Sequence, residues 1–372
     1  MLVTQESVVT EAQNGIGWIK LNRPHALNSS NVEMVAAIYK QLKDWKQDSQ
    51  IALICIYGEG EKGLCAGGDM RTLYDLKEKG VEAYAEQFFS TEYPMDYEIH
   101  RYPKPVVVYM NGIVMGGGVG LSIGASHRIV TETTKWAMPE MNIGFFPDVG
   151  ASYFLNQMPG YIGRYLALTA NIVKASDVLY AGVADCYLES KNWPKLRQAM
   201  MEKRWSLDSA EQEINQLLKQ YSLSISPPSS LLSSEQEKID QHFQFETIED
   251  IVSSLNTTAE KGDEWAEKTV NTLLSKSPTS LKVTLHQLQE GKDKQLYECL
   301  EMEMNVAMNF MKCHDFYEGV RSVLVDKDRA PKWNPAVLED VSEERIASFF
   351  HYSWNNEQNP LTTLTGNKKY SC

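Results

Sequence analysis

The feature that most constrains this chain is a β-branched apolar run, Val106 to Met110 (VVVYM), that feeds directly into the glycine-rich stretch NGIVMGGGVG at 111–120. A short apolar run of this kind reads as a buried strand, and the glycines after it permit a tight turn and a close approach of backbone to a ligand. Helix is expected beyond them, over residues 121–125. A second such unit lies upstream, where IALICIY at 51–57 closes on GEGEKG and leads to CAGGDM at 65–70. Ile16 to Leu21 reads as a further strand, and residues 31–46 place Val35, Ile38, Leu42 and Trp45 at helical spacing. Strands alternating with helices through the first half imply the α/β class.

From about residue 194 the pattern turns helical and polar, interrupted by SLSISPPSSLLSS at 222–234, whose Pro and Ser content marks a loop or linker. The expected division is a core with its site over 1–190, a helical insertion carrying the Ser/Pro loop over 191–270, and a helical region over 271–372 that completes the domain. With 43% hydrophobic residues in 372, the chain can bury one large core or two ordinary ones. No apolar run approaches the ~20 residues needed to span a bilayer.

Charge narrows the ligands. A formal charge of -13 gives no diffuse basic field, which argues against general nucleic-acid or anionic-membrane binding. Six cysteines show no CxxC pair, so neither a disulfide framework nor a metal site is expected, and a reducing compartment fits best. The N-terminal MLVTQESVVTEAQNG has no basic apolar run, which favours the cytoplasm, although a processed mitochondrial matrix protein would look the same.

The two glycine loops, Cys65–Met70 and Met115–Gly120, each follow a strand, and two backbone N–H groups aimed at one oxygen would stabilise an oxyanion developing on a thioester carbonyl. Tight turns that simply need glycine are the plain alternative. A nucleotide loop fails on spacing: counted from Gly116 or Gly118, the third glycine of G-x-G-x-x-G would fall on Leu121 or Ile123.

NRPHALN at 22–28, CAGGDM at 65–70, NGIVMGGGVGLS at 111–122 and MPEMNIGFFPDVGAS at 138–152 together resemble the crotonase (enoyl-CoA hydratase/isomerase) superfamily. The last two resemble its 3-hydroxyisobutyryl-CoA hydrolase branch, and the likeness continues through 277–288 and 314–333. The resemblance implies a spiral of ββα units with a helical C-terminal region, an acyl-CoA substrate, no cofactor beyond the CoA that the substrate carries, and commonly a trimer or hexamer. It puts oxyanion-hole amides at Gly68 and Gly117. It also implies a CoA groove lined by Ala26 and Leu27 and by the stretch Ala66, Gly67, Gly68, Asp69 and Met70.

The carboxylates separate the chemistries. The family's hydratases and isomerases would carry an acid at position 120, and this chain has Gly120, which disfavours hydration. Glu140, Asp148 and Glu92 match three acidic positions of the hydrolase branch, Glu92 preceding Gly117 by 25 residues. Glu140 and Asp148 stand among Met138, Pro139, Ile143, Phe145, Phe146 and Val149, where an acid is either functional or paired. The resemblance assigns Glu140 to activating water or to attacking the thioester itself, Asp148 to orienting water or substrate, and Glu92 to accepting a hydrogen bond from a 3-hydroxyl. A hydratase or isomerase of the same fold and a non-catalytic acyl-CoA-binding protein are the alternatives.

Other residues invite less. His127 and His314 lack a nucleophile motif, Ser122 follows a helix-forming Leu121, and Cys65 has the apolar neighbours of a packed thiol. The run MEMNVAMNFM at 302–311 reads as helical core. Lys327, Arg329 and Lys332 either reach CoA phosphates or form a solvated face.

Overall fold

The computed structural model describes residues 6–222, 230–355 and 358–367. Its contacts group into two compact units, each assembled from separate segments: Met1–Gly68, Thr91–Ala137 and Ile172–Ser233 in the first, and Asp69–Ser90, Met138–Asn171 and Ser234–Cys372 in the second. The sequence divisions at 190 and 270 do not coincide with these units.

The first unit holds two sheets. In the six-stranded one, β1 (Val8–Gln13) pairs antiparallel with β2 (Ile16–Leu21), and β3 (Leu53–Gly58), β5 (Val106–Met110), β7 (His127–Val130) and β10 (Cys186–Tyr187) follow in parallel. The four-stranded sheet runs β4 (Gly63–Cys65), β6 (Ile113–Met115), β8 (Lys135–Ala137) and β9 (Val173–Lys174). Successive chain segments thus add one strand to each sheet, β3 then β4, β5 then β6, β7 then β8, which is the ββ repeat expected. β5 and β2 have the bounds read from the sequence.

The faces of the large sheet follow the two-residue period of a strand. Ile16 and Trp18, Leu53, Cys55 and Tyr57, Val107 and Tyr109, and Ile129 share one buried face. Helices Trp193–Glu202 and Ala210–Ser222 cover it with Leu196, Met200, Ile214 and Leu218. The Trp193 ring stacks on Tyr109 at 4.0 Å, and the Arg197 guanidinium lies over Trp18 and Tyr57. Residues 193–222 of the expected insertion therefore close the core of the first unit, while its residues from 234 onward belong to the second. Most of the Ser/Pro loop, residues 223–229, lies outside the described residues, and its last residues are helical, in Leu231–Phe243.

Helix Val32–Gln47 starts where Asn31 accepts a hydrogen bond from the Met34 N–H at 3.0 Å, and it buries Val35, Ile38, Leu42 and Trp45. Helix Val81–His100 was not marked by its sequence, because Pro94 inside it removes one ladder donor.

The second unit is mainly helical. Phe145 and Phe146 of the GFFPD segment are fully buried and meet the Phe310 ring at 5.3 Å, while Phe145 also packs on Phe89 and Phe316. Phe310 ends helix Leu296–Phe310, which contains the Met-rich run up to its last residue, Met311, the C-cap. Its neighbour, Pro278–Gly291, has Pro at the start and Ser277 accepting from the Ser280 N–H at 3.1 Å. Among the described residues no helix is long and apolar enough to cross a membrane.

Candidate active site

The two glycine loops come together in the first unit. Ser30 bridges to Gly68, the Ser30 N–H donates to Gly67 O at 2.9 Å, and the Ala66 N–H donates to Leu27 O at 3.1 Å. Ala26, Leu27, Ala66 and Gly67 thus lie on adjoining stretches of backbone, as the groove requires. Gly117 opens helix Gly117–Ile123, so its N–H has no carbonyl one turn back to bond. A Cβ at Gly117 would stand 3.4 Å from the Gly68 nitrogen, 3.2 Å from Ser30 Oγ and 2.7 Å from Glu92 Oε1. The two expected oxyanion donors therefore lie close to one another, and a Cβ at 117 would press on the Glu92 carboxylate, which would have to shift.

Glu92 is 2% exposed, and the Ser30 hydroxyl donates to its Oε1 at 3.4 Å. A buried carboxylate beside backbone donors makes a compact polar wall, able to hold a carbonyl oxygen and, two carbons further along an acyl chain, a hydroxyl. Ser30 was not singled out from the sequence; its place in NSSN, just after NRPHAL, is a weak signal at best. Asn28 explains the last residue of that motif: its amide donates to Glu59 O (3.1 Å) and Gly63 O (3.0 Å), and its Oδ1 accepts from the Arg23 N–H (2.9 Å). The asparagine staples the loop next to the cradle. A cavity of about 330 Å³ beside Leu27 is lined by His25, Asn28, Lys62 and Gly63 among others.

Burial pushes the Cys65 thiol up to about 12 even though it accepts from the Gly67 N–H at 3.4 Å, so it is a packed thiol and not a nucleophile. Ser122 donates to Gly118 O (2.9 Å) inside its own helix, and Gly120 is buried there. His127 is buried with Nδ1 2.8 Å from Ser126 Oγ, His314 is half exposed, and Lys327, Arg329 and Lys332 are exposed.

Asp69 and Met70 belong to the second unit. Asp69 caps helix Met70–Asp75, accepting from the Thr72 N–H at 3.3 Å, so its side chain has a structural task. Glu140 begins the 3-10 turn Glu140–Ile143 and is 4% exposed. Asp148, 2% exposed, stands at the head of a turn in which Val149 and Gly150 both take positive φ, 53° and 86°, and the Ala151 N–H donates back to Asp148 O at 3.0 Å. Two buried polar side chains hold this turn. Gln287 Nε2 donates to Pro147 O at 2.6 Å. Glu303 accepts from the Gly150 N–H (2.7 Å), the Ser152 N–H (2.8 Å) and the Ser152 hydroxyl (2.6 Å). Neither was foreseen, because each sits inside an apolar helical pattern. Lys276, mostly buried and pushed down to about 8 by burial, donates to Asn142 Oδ1 at 2.6 Å and so braces the Glu140 turn.

Comparison with known proteins extends the likeness beyond the motifs. A family model described as enoyl-CoA hydratase/isomerase matches residues 16–350. The chain is 42% identical over 354 residues to a Gallus gallus protein named 3-hydroxyisobutyryl-CoA hydrolase, mitochondrial, covering 94% of this chain and 90% of that protein. It is 36% identical over 380 residues to the Neurospora crassa small ribosomal subunit protein mS47, covering 98% of this chain and 75% of that protein. A crystal structure named as a carnitinyl-CoA dehydratase from Mycobacterium thermoresistibile superposes with a TM-score of 0.87 at 34% identity, covering 95% of this chain and 99% of that one. A Homo sapiens protein, 40% identical over 93% of this chain, carries the same hydrolase name as the Gallus gallus one, and the match runs across most of the chain in every case. The chain belongs to the enoyl-CoA hydratase/isomerase family.

Proposed function

We propose that this protein is an acyl-CoA thioester hydrolase that converts 3-hydroxyisobutyryl-CoA and water to 3-hydroxyisobutyrate and CoA. The observation that carries the reading is the buried Glu92 carboxylate set against Gly117, where it can accept from a 3-hydroxyl while the amides of Gly68 and Gly117 bind the thioester oxygen. An acyl group without the hydroxyl would forgo a hydrogen bond to an ionised acceptor, which lowers its affinity relative to the hydroxylated one. Gly120, lying in a helix with no acid at its place, disfavours hydration, and the name of the Gallus gallus relative supports hydrolysis.

In this reading Glu140 takes a proton from the attacking water, or attacks the thioester itself to give an anhydride that water then opens. The C–S bond breaks and the CoA thiolate regains a proton. Asp148 orients water or substrate. Neither route needs a metal or redox cofactor, and CoA enters only as part of the substrate. The reaction would belong to valine degradation. The five described cysteines, all free, support a reducing compartment, cytoplasm or mitochondrial matrix.

A thiol-release assay with 3-hydroxyisobutyryl-CoA, with and without chelator, and with crotonyl-CoA in parallel, tests the proposal. Release that chelator leaves unchanged is expected. Hydration of crotonyl-CoA without thiol release would replace hydrolysis by hydration. Activity on neither would favour the second reading, a structural role of the kind printed in the name of the Neurospora crassa relative.

A further inference from the structure

The turn that carries Asp148 is held in a conformation its own sequence resists. Val149 is β-branched and has φ 53°, a backbone region that is strained for such a residue and persists only where neighbours impose it. Gly150 continues at φ 86°, and a Cβ there would lie 2.8 Å from Leu296 Cδ1. The neighbour that imposes the turn is identifiable. Glu303, 0% exposed on helix Leu296–Phe310 between Met302 and Met304, spends both carboxyl oxygens on three donors of residues 150 and 152.

A glutamate is an expensive choice at a position that otherwise asks for methionine. Burial opposes its charge, and the charge of Asp148 opposes it further.

We infer that Glu303 is a positioning residue for the hydrolysis: by gripping the Gly150 and Ser152 donors it fixes the left-handed Val149–Gly150 turn and so aims the Asp148 carboxylate. The inference rests on the reading of Asp148 given above. Glu303 itself touches no substrate, so its effect passes through Asp148.

The test is a double-mutant cycle on 3-hydroxyisobutyryl-CoA with Glu303→Met, Asp148→Asn and the pair. Methionine matches the helix's own pattern and removes all three acceptors. Thermal melts report folding. Glu303→Met is expected to lower kcat by about 10²-fold, the scale of a displaced catalytic group, with KM within about twofold. In the Asp148→Asn background the same change is expected to cost under about threefold, because the group it aims is already disabled. Glu303→Gln is expected to recover part of kcat, since its carbonyl can still accept from Ser152 while its amide opposes the Gly150 N–H. Additive losses in the cycle, or a rise in KM in place of the fall in kcat, would overturn the positioning role while leaving Asp148 intact. An Asp148→Asn enzyme of full activity would overturn the reading of Asp148 and this inference with it. If Glu303→Met does not fold, Ser152→Ala, which removes one of the three contacts by deleting the hydroxyl donor, replaces it in the cycle: a smaller fall in kcat is expected that disappears in the Asp148→Asn background, and additive losses would overturn the positioning role.

Discussion

The glycine cradle of the first unit and the Asp148 turn of the second solve opposite problems. At the cradle, side chains have been removed: Gly117 is bare, Glu92 Oε1 would sit 2.7 Å from a Cβ there, and what remains to work with is backbone N–H. At the turn, polar side chains have been added to the interior: Glu303 and Gln287 are both fully buried and both bond backbone of residues 147–152. Backbone donors need only a fixed path, which the sheets around them supply. A carboxylate on a turn needs that turn clamped from outside, by groups that are costly to bury. The cradle should therefore tolerate changes around it better than the turn does.

The largest expected effect comes from a carboxylate. Glu140→Gln keeps volume and loses basicity, and kcat is expected to fall by ~10²–10⁴ while CoA-ester affinity changes little. Steady-state kinetics with a binding measurement on a substrate analogue checks this. An active Glu140→Gln enzyme would remove Glu140 from the proposed mechanism.

The cradle is probed by a pair of variants. Gly117 is the first residue of its helix, where proline is tolerated. Gly117→Ala and Gly117→Pro bring the same Cβ against Glu92, but only the second deletes the N–H. Proline is expected to cost ~10²–10³ in kcat, the scale of one lost oxyanion donor, and alanine clearly less. Equal losses would mean that the Cβ contact, and not the donor, is what matters at 117.

How far the sequence disclosed these two regions follows the same contrast. The strands Ile16–Leu21 and Val106–Met110 and the helix with Val35, Ile38, Leu42 and Trp45 were legible because burial imprints a period on residue type. The cradle was legible because consecutive glycines are rare without a backbone reason. Strand Val8–Gln13 was not, since five of its six residues, Val9 to Gln13, stay partly or wholly exposed and carry no alternation. Helix Val81–His100, which holds Glu92, was masked by Pro94. Glu303 was hidden for a sharper reason: in MEMNVAMNFM it occupies a core position of a helical pattern, and a single acid there is indistinguishable from a residue on the solvated face until the helix has been placed. The expected insertion over 191–270 hid its first part, because Leu196, Met200, Ile214 and Leu218 complete a core whose strand residues lie far earlier, from Ile16 to Ile129.

Titration distinguishes the clamp from the cradle. Burial, opposed by three donors and reinforced by Asp148, pushes the Glu303 carboxyl up from an ordinary 4.5 to about 8. A raised carboxyl pKa means that the native state holds a proton which the unfolded chain releases. Its contribution is therefore fully present below about 4.5 and is lost as pH rises through about 8. Urea unfolding at several pH values is expected to show a decline across that window, on the order of a few kcal/mol, which Glu303→Gln flattens. Parallel curves for the two proteins would show that the carboxylate is ionised throughout, held by its donors.

The smallest effect is a ratio, and it asks whether the cradle does more than bind a carbonyl. Glu92→Gln keeps shape and still offers an oxygen to the Ser30 hydroxyl, which now donates to Glu92 Oε1 at 3.4 Å. What it loses is charge. A hydrogen bond to an ionised acceptor contributes ~1.5–3 kcal/mol against ~0.5–1.5 for a neutral one, so kcat/KM for 3-hydroxyisobutyryl-CoA is expected to fall about tenfold further than for isobutyryl-CoA. The plain acyl ester has no hydroxyl to lose a bond at this position. Measuring both substrates with both enzymes gives the ratio free of any general damage to the cradle. Equal losses would make Glu92 a support for Gly117 and Ser30, and the preference for a hydroxylated acyl group would have to come from elsewhere in the chain.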